Sequence, residues 1–265
     1  MSSLFNLSLP DVVVVSGAAS GLGLELCQLL VENGAATVGV DRDQVSSQLK
    51  DNEHYAHVQG DVSRQAVWSE AVKAVLSREP GSIGLATCAA ILEVGDLLDA
   101  TEEHWIKAFR VNVLGTVFGI QALLPAMIDK GGGAIVAVAS VDATFAEQQL
   151  SAYCASKGGV RQLTRTVALD HARRGIRANV LSPGPMLAGL FKRHMDSAED
   201  RERFMAIRAN RQPYGRILDA REVATAAVFL LSNQSSAING AELIADGGLT
   251  TGFDFRTGEE GASVK

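Results

Sequence analysis

Residues 11–31, DVVVVSGAASGLGLELCQLLV, constrain the fold more than any other stretch of the chain. The unbroken valine run has the length of a strand, and its lack of alternation marks a strand covered on both faces. Leu22–Val31 then reads as a helix, stopped by Asn33-Gly34. Between strand and helix lie Gly17, Gly21 and Gly23. Gly17 permits a tight turn, Gly21 lets the backbone approach a pyrophosphate, and Gly23 lets the helix pack close to the sheet. At Ser20 and Leu22 the helix start offers unpaired N–H groups and the positive end of its dipole. A plain glycine turn is the competing reading of the loop alone. The spacing is G-x-x-x-G-x-G, and no Gly-Lys-Ser/Thr follows, which argues against ATP or GTP hydrolysis.

The rest of the chain repeats the alternation. Further strands are expected at Ala36–Val40 (ending in Asp41), His54–Gly60, Ile83–Cys88, Ala134–Ala139, Arg177–Leu181 and Glu242–Ala245. Helices are expected from an N-cap at Ser63 to about Glu79, from Thr101 to about Asp129 with a break near Arg110, over Ser151–Arg174 and over Ala220–Leu231. Residues 186–211 are charged, mixed and irregular and read as a flexible lid. Residues 250–265 read as a loosely ordered polar tail. The pattern predicts an α/β fold: a Rossmann-type, doubly wound parallel sheet of about seven strands, in three α/β/α layers, as one domain over 1–265. Ligands bind such sheets beyond the carboxyl ends of the strands, so function is expected just after Val15, Val40, Gly60, Cys88, Ala139 and Leu181.

Composition narrows the partners. A net charge of −6 argues against nucleic acid. No window is expected to reach the length of an uncharged apolar membrane span, and the N-terminus lacks the basic segment of a signal peptide. Cys27, Cys88 and Cys154 have no metal-type spacing and read as buried free thiols of a reducing, cytoplasmic compartment. His54, His57, His104, His171 and His194 show no zinc-ligand spacing, so no catalytic metal is expected; His54 and His57 should face opposite sides of a strand.

Asp41 ends the second strand about twenty residues past the glycine loop, where dinucleotide ribose hydroxyls would lie. A carboxylate there accepts from a free 2′-OH and repels a 2′-phosphate; Arg42 is the counter-argument. NAD is therefore favoured over NADP. Tyr153 and Lys157, four residues apart, share a helix face, either as a catalytic pair or as chance neighbours.

Motifs in one consistent order then resemble the short-chain dehydrogenase/reductase family over nearly the whole chain. They are SGAASGLG (family Thr-Gly-x-x-x-Gly-x-Gly), GDV at 60–62, Asn112 in VNVLG, Ser140, Tyr153-x-x-x-Lys157, SPG at 182–184 and DGG at 246–248. The resemblance implies a homo-oligomeric oxidoreductase, dimer or tetramer, with a nicotinamide cofactor. It implies Tyr153 as proton donor and acceptor, with its phenolate favoured by the Lys157 ammonium and a positive nicotinamide. Lys157 would also hold the nicotinamide ribose, and Ser140 the substrate oxygen. The Asn112 backbone would hold a water of the proton relay. Asp61 and Val62 would frame the adenine. Cys88, Ala89 and Ala90 would pass the cofactor, and Pro183, Gly184 and Met186 would complete its site.

Three departures stand out. Ser16 replaces a threonine and keeps the hydroxyl. Thr87–Ala90 (TCAA) replaces Asn-Asn-Ala-Gly, losing side chains that brace the sheet's end. Ala188 replaces a threonine that grips the carboxamide, a task left to N–H groups near Met186 and Leu187. Ile91, Leu92, Val141, Gln148, Met186, Leu187, Leu190, Phe191 and Met195 are expected to line a mainly apolar substrate pocket, suited to a bulky or cyclic secondary alcohol or ketone. Glu93, Asp142 and Glu147 meet substrate hydroxyls or are solvated loop charges, the second being favoured. An NADPH-dependent 3-oxoacyl-carrier-protein reductase is opposed by Asp41. An enoyl reductase is opposed by the short Tyr–Lys spacing, and a non-catalytic dinucleotide-binding regulator by the joint presence of Ser140, Tyr153 and Lys157.

Overall fold

The computed structural model describes residues 7–196 and 198–252; the predicted tail beyond 252 lies outside them. Strand β1 (Val12–Ser16) sends Val13 and Val15 into one hydrophobic cluster and Val12 and Val14 into another. That two-sided burial is why the valine run shows no alternation. Six more strands join it in parallel: β2 (Ala36–Asp41), β3 (Tyr55–Gln59), β4 (Ile83–Thr87), β5 (Gly133–Val138), β6 (Ile176–Pro183) and β7 (Glu242–Ala245). Their order across the sheet is β3-β2-β1-β4-β5-β6-β7. The order reverses between β1 and β4, which fixes the crevice where a doubly wound sheet binds ligands.

One face is covered by α1 (Gly21–Glu32) and α8 (Ala220–Leu231), through Leu26, Leu30, Val223 and Ala227. The other carries α2 (Gln65–Leu76), α4 (Gly115–Asp129) and α5 (Ser151–His171). Trp68 of α2 donates its indole N–H to the Val62 carbonyl at 2.9 Å and lies against Gly119 of α4, where a Cβ would come within 2.7 Å of the ring.

Several elements differ from expectation. Ser63 does not cap α2: its N–H donates to Asp61 Oδ1 at 2.8 Å, Arg64 takes the cap position, and the helix ends at Leu76. His54 precedes β3, and its N–H donates to Asn52 Oδ1. The expected break near Arg110 is a π-helical turn, Phe109–Leu114, between α3 (Glu102–Ala108) and α4. Residues 186–211 are not irregular: α6 (Gly189–Asp196) and α7 (Arg201–Asn210) form there, the latter capped by Asp200 Oδ1 accepting from the Arg203 N–H at 2.9 Å.

The membrane expectation also needs correction. Residues 111–128 carry no charge, and the helical run Glu102–Asp129 is long and apolar enough to cross a membrane by length and composition. Its Ile120, Leu123 and Met127 are instead packed in the core cluster beside the sheet.

Candidate active site

The crevice at the β1/β4 reversal is a cleft of about 1540 Å³. The glycine turn forms its floor. Gly17 has φ 73°, and a Cβ there would lie 2.8 Å from the Ala89 amide nitrogen; Gly23's would lie 2.2 Å from the Gly17 carbonyl oxygen. Backbone therefore packs on backbone, and the turn is closed to side chains. Ser20 caps α1 without a side-chain bond. Asp41 stands at the mouth, Oδ2 accepting from the Ala19 N–H and Oδ1 from the Asp43 N–H, each at 3.0 Å. Arg42 points to solvent near Asp43. Asp61, exposed, and buried Val62 line the same end of the cleft. The cradle closed to any Cβ and the carboxylate at the β2 end fit the pyrophosphate and ribose of a dinucleotide.

The lost asparagine side chains at 87–90 are compensated by two other residues. Ser16 Oγ accepts from the Ala89 N–H at 3.2 Å. The Asn112 amide brackets Ile91, accepting from its N–H at 2.8 Å and donating to its carbonyl at 3.0 Å, with a further bond to Ser156 Oγ. Asn112 is buried, and its own carbonyl accepts from Thr116 Oγ1 at 3.1 Å. Asn112 does not itself line the cleft, whereas Cys88, Ala89, Ala90, Pro183, Gly184 and Met186 do.

Ser140, Tyr153 and Lys157 line the same cleft and come together, all buried: Ser140 shares a hydrogen bond with the Tyr153 phenol, and Lys157 Nζ lies 5.8 Å from the Tyr153 ring centroid. Ser140 follows β5, and the other two lie on the inward face of α5 with Val160 and Thr164, the i, i+4 stacking expected of a helix. Lys157 Nζ donates to the Val138 carbonyl at 2.7 Å, and burial lowers its pKa to about 8. The Tyr153 phenol is pushed up, first by burial and then by Asp142, while a Ser140 hydrogen bond opposes the rise. The expected lowering by Lys157 is not found in the chain alone: burial dominates, and only the Ser140 hydrogen bond opposes it. Burial raises Cys88 to about 12 and Cys27 well above its usual range, so both thiols stay protonated. Cys154 is only partly buried, and its thiol is also raised.

Asp142 corrects the reading of a solvated charge. It is half-buried, lines the cleft and accepts the Ser140 hydroxyl at 3.0 Å; burial lifts its carboxyl to about 6. Glu93 pairs with Lys107, as a loop charge would. Glu147 pairs with Arg208 of α7 at 2.8 Å, and that guanidinium lies 5.2 Å from the Phe204 ring centroid.

The start of α6 rests on the glycine turn: a Cβ at Gly21 would lie 2.9 Å from Gly189 Cα. Of the expected pocket residues, Leu187 and Met195 do not line the cleft. Leu187 is exposed, and its N–H donates to the Leu218 carbonyl at 2.9 Å, so that amide cannot replace the missing threonine. Arg193, Arg208 and Arg211 line the cleft instead, making it more polar than predicted. A charge-rich segment carries no periodicity strong enough to show which arginines turn inward. Among the described residues no group of His, Cys, Asp and Glu is arranged to hold a metal ion.

A parallel doubly wound sheet with this glycine cradle is the architecture of the dinucleotide-binding oxidoreductases. Comparison with known proteins agrees. The family described as Enoyl-(Acyl carrier protein) reductase matches residues 17–250. Galactitol 2-dehydrogenase (L-tagatose-forming) of Cereibacter sphaeroides is 34% identical over 89% of this chain and 93% of its own. Cis-4-hydroxycyclohexanecarboxylate dehydrogenase of Sinomonas cyclohexanicum is 36% identical over 90% and 96%. The ligand-free structure of Thermoplasma acidophilum aldohexose dehydrogenase superposes with a TM-score of 0.85 at 28% identity, covering 95% of this chain and 98% of that one. The chain belongs to the short-chain dehydrogenase/reductase family, whose oxidoreductases use a nicotinamide dinucleotide.

Proposed function

We propose that the protein is an NAD-dependent oxidoreductase that interconverts a secondary alcohol and a ketone, with Tyr153 as general acid and base. The observation that carries this reading is the meeting of buried Ser140, Tyr153 and Lys157 in a cleft that the glycine turn also lines. Gly17, Ser20, Gly21, Leu22 and Gly23 hold the pyrophosphate, Asp41 the ribose, and Asp61 and Val62 the adenine. Cys88, Ala89, Ala90, Pro183, Gly184 and Met186 flank the reacting end. NAD is favoured over NADP because a 2′-phosphate would meet the Asp41 carboxylate, while Arg42 stays in solvent.

When bound, the oxidised nicotinamide supplies the hydride acceptor and a positive charge. Tyr153 takes the hydroxyl proton in oxidation and returns it in reduction. Its burial makes the neutral phenol the resting form, ready to donate. Lys157, fixed by the Val138 carbonyl, holds its ammonium near the phenol and toward the ribose. Ser140 orients the substrate oxygen. Asn112 fixes the Ile91 backbone that borders the cleft, and its carbonyl, which accepts from Thr116 Oγ1, would also have to hold the relay water. Residues 186–211 close over the substrate as a lid, and Glu147–Arg208 is the tie that holds them down.

The names of the two relatives point to secondary hydroxyls on a polyol and on a ring. With Ile91, Leu92 and Phe191 in the cleft, they support a substrate of comparable bulk. The free thiols support a reducing, cytoplasmic setting, and the family supports a dimer or tetramer. The test is a screen at 340 nm of secondary alcohols, cyclic diols, galactitol and cis-4-hydroxycyclohexanecarboxylate with NAD⁺ and NADP⁺. Turnover with NAD⁺ is expected; a preference for NADP⁺ refutes the cofactor assignment, and exclusive use of enoyl thioesters refutes the reaction.

A further inference from the structure

Ser140 carries one hydroxyl proton, and in this structure that proton is held. Ser140 Oγ donates to Asp142 Oδ2 at 3.0 Å, while the Asp142 backbone N–H donates to Ser140 Oγ at 3.1 Å. The two bonds close a small ring at the turn after β5 and leave Ser140 Oγ a single lone pair, the one that its hydrogen bond with the Tyr153 phenol engages until a substrate oxygen takes its place. A hydroxyl that polarises a carbonyl oxygen must donate to it. With its proton held by a carboxylate, Ser140 meets that oxygen lone pair to lone pair. An alcohol substrate suffers less, because its own O–H donates to Ser140.

The groups around Asp142 are few. Tyr153, Cys154 and Lys157 face it from α5, and Glu147 from its own loop, with Glu147 paired to Arg208 of α7. Arg161 of α5 bonds neighbouring Thr144 and pairs with Glu242 of β7 at 3.7 Å, so its charge is spent there. Burial is the largest influence on the Asp142 carboxyl and favours its neutral form; Glu147 acts in the same direction, against Ser140 and Lys157.

We propose that Asp142 is a positioning residue of the reaction: its ionisation state decides whether Ser140 meets the substrate oxygen as donor or acceptor, and so makes ketone recognition, but not alcohol recognition, depend on pH. The proposal rests on the roles given above to Ser140 and Tyr153. On acidification a solvent proton enters the Asp142 carboxylate. The resulting carboxyl O–H donates to Ser140 Oγ, and the Ser140 proton turns to the substrate oxygen; no bond to carbon changes. Asparagine at 142 imitates this state at every pH, because its NH₂ donates to Ser140 Oγ. The ionised carboxylate also holds the Tyr153 phenol up, so the same variant should move the alkaline rise of alcohol oxidation to lower pH.

The experiment compares wild type, Asp142→Asn, Ser140→Ala and Tyr153→Phe. A carbon-13 titration of the aspartate carboxyls, without substrate, assigns Asp142 by the signal lost in Asp142→Asn. It should titrate at about 6 in wild type and higher in Ser140→Ala, where the bond favouring the ionised form is gone. In steady state, with cyclohexanone and cyclohexanol as the probe pair, the wild-type ketone KM should rise about tenfold between pH 5 and 8, the value of one lost hydrogen bond. The alcohol KM should not follow, and Asp142→Asn should hold the ketone KM flat. A carboxyl that titrates in the ordinary range and ignores Ser140→Ala overturns the proposal, as does an Asp142→Asn profile superimposable on wild type. Full turnover by Tyr153→Phe would instead mean that the reading of the site itself has failed.

Discussion

Gly23→Ala sets two effects of known sign against each other. Gly23 lies in the first turn of α1, where alanine is the better helix former by about 1 kcal/mol. Its added Cβ, however, would lie 2.2 Å from the Gly17 carbonyl oxygen, 2.7 Å from the Gly17 carbonyl carbon and 3.1 Å from the Ser16 carbonyl oxygen. All three are backbone atoms, so no rotamer change relieves the contact. The helix start must retreat by about 1 Å to reach ordinary van der Waals distance, and overpacking of that kind costs about 1–3 kcal/mol. The clash should win, with a net loss of about 1–2 kcal/mol in urea unfolding. The retreat also separates the α1 N–H groups from the turn, so NADH affinity, read by nicotinamide fluorescence, should fall at least tenfold. Gly34→Ala is the control: φ is 81° there, but nothing lies within 4 Å, so it should cost only backbone strain, about 1 kcal/mol, and leave NADH binding intact. A Gly23→Ala protein with wild-type stability and NADH affinity would refute the close-packed cradle.

Asp142→Asn should change stability with a sign opposite to that of a salt-bridged carboxylate. The folded carboxyl titrates at about 6, above the usual value near 4, so its ionisation weakens the fold progressively as pH rises from about 4 to about 6, and fully above that. With solvent screening discounted, the variant should gain on the order of 1 kcal/mol at pH 7–8 and nothing below pH 4, in melts followed by circular dichroism. Asn112→Ala strands the Ile91 N–H and carbonyl and removes the donor to the Ser156 hydroxyl; a loss of about 2–3 kcal/mol in urea is expected, with reduced kcat. Arg208→Ala breaks a pair half in solvent, so stability should change by less than about 1 kcal/mol. Substrate KM should nonetheless rise several-fold as α7 loses its tie to the loop after β5. Asp41→Ala should shift the preference toward NADP⁺ in paired kcat/KM measurements.

The sheet was legible because its signals are local. The valine run, the glycine turn and the i, i+4 pair at Tyr153 and Lys157 each specify geometry within a few residues, and β7 and α8 lie where the pattern put them. What escaped depends on distant atoms. Nothing near Asp142 in sequence reveals that burial and Ser140 convert it from a surface charge into a partner of the site. The inward turn of Arg208 depends on Glu147, 61 residues away. Ser63 looked like a cap by type, but Asp61 captured its N–H first, a competition between neighbouring polar side chains that propensity does not rank. The compensation for the lost asparagines at 87–90 comes from Ser16 and Asn112, which only the fold brings together.

The central claim is that Tyr153 moves the substrate proton in a site that binds the cofactor without it. The most direct measurement is Tyr153→Phe, assayed for NADH binding by fluorescence and for turnover at 340 nm. The account predicts NADH affinity within about twofold of wild type, with kcat lower by at least about 100-fold, the share of a general acid–base group. A Tyr153→Phe enzyme with unchanged kcat would contradict it.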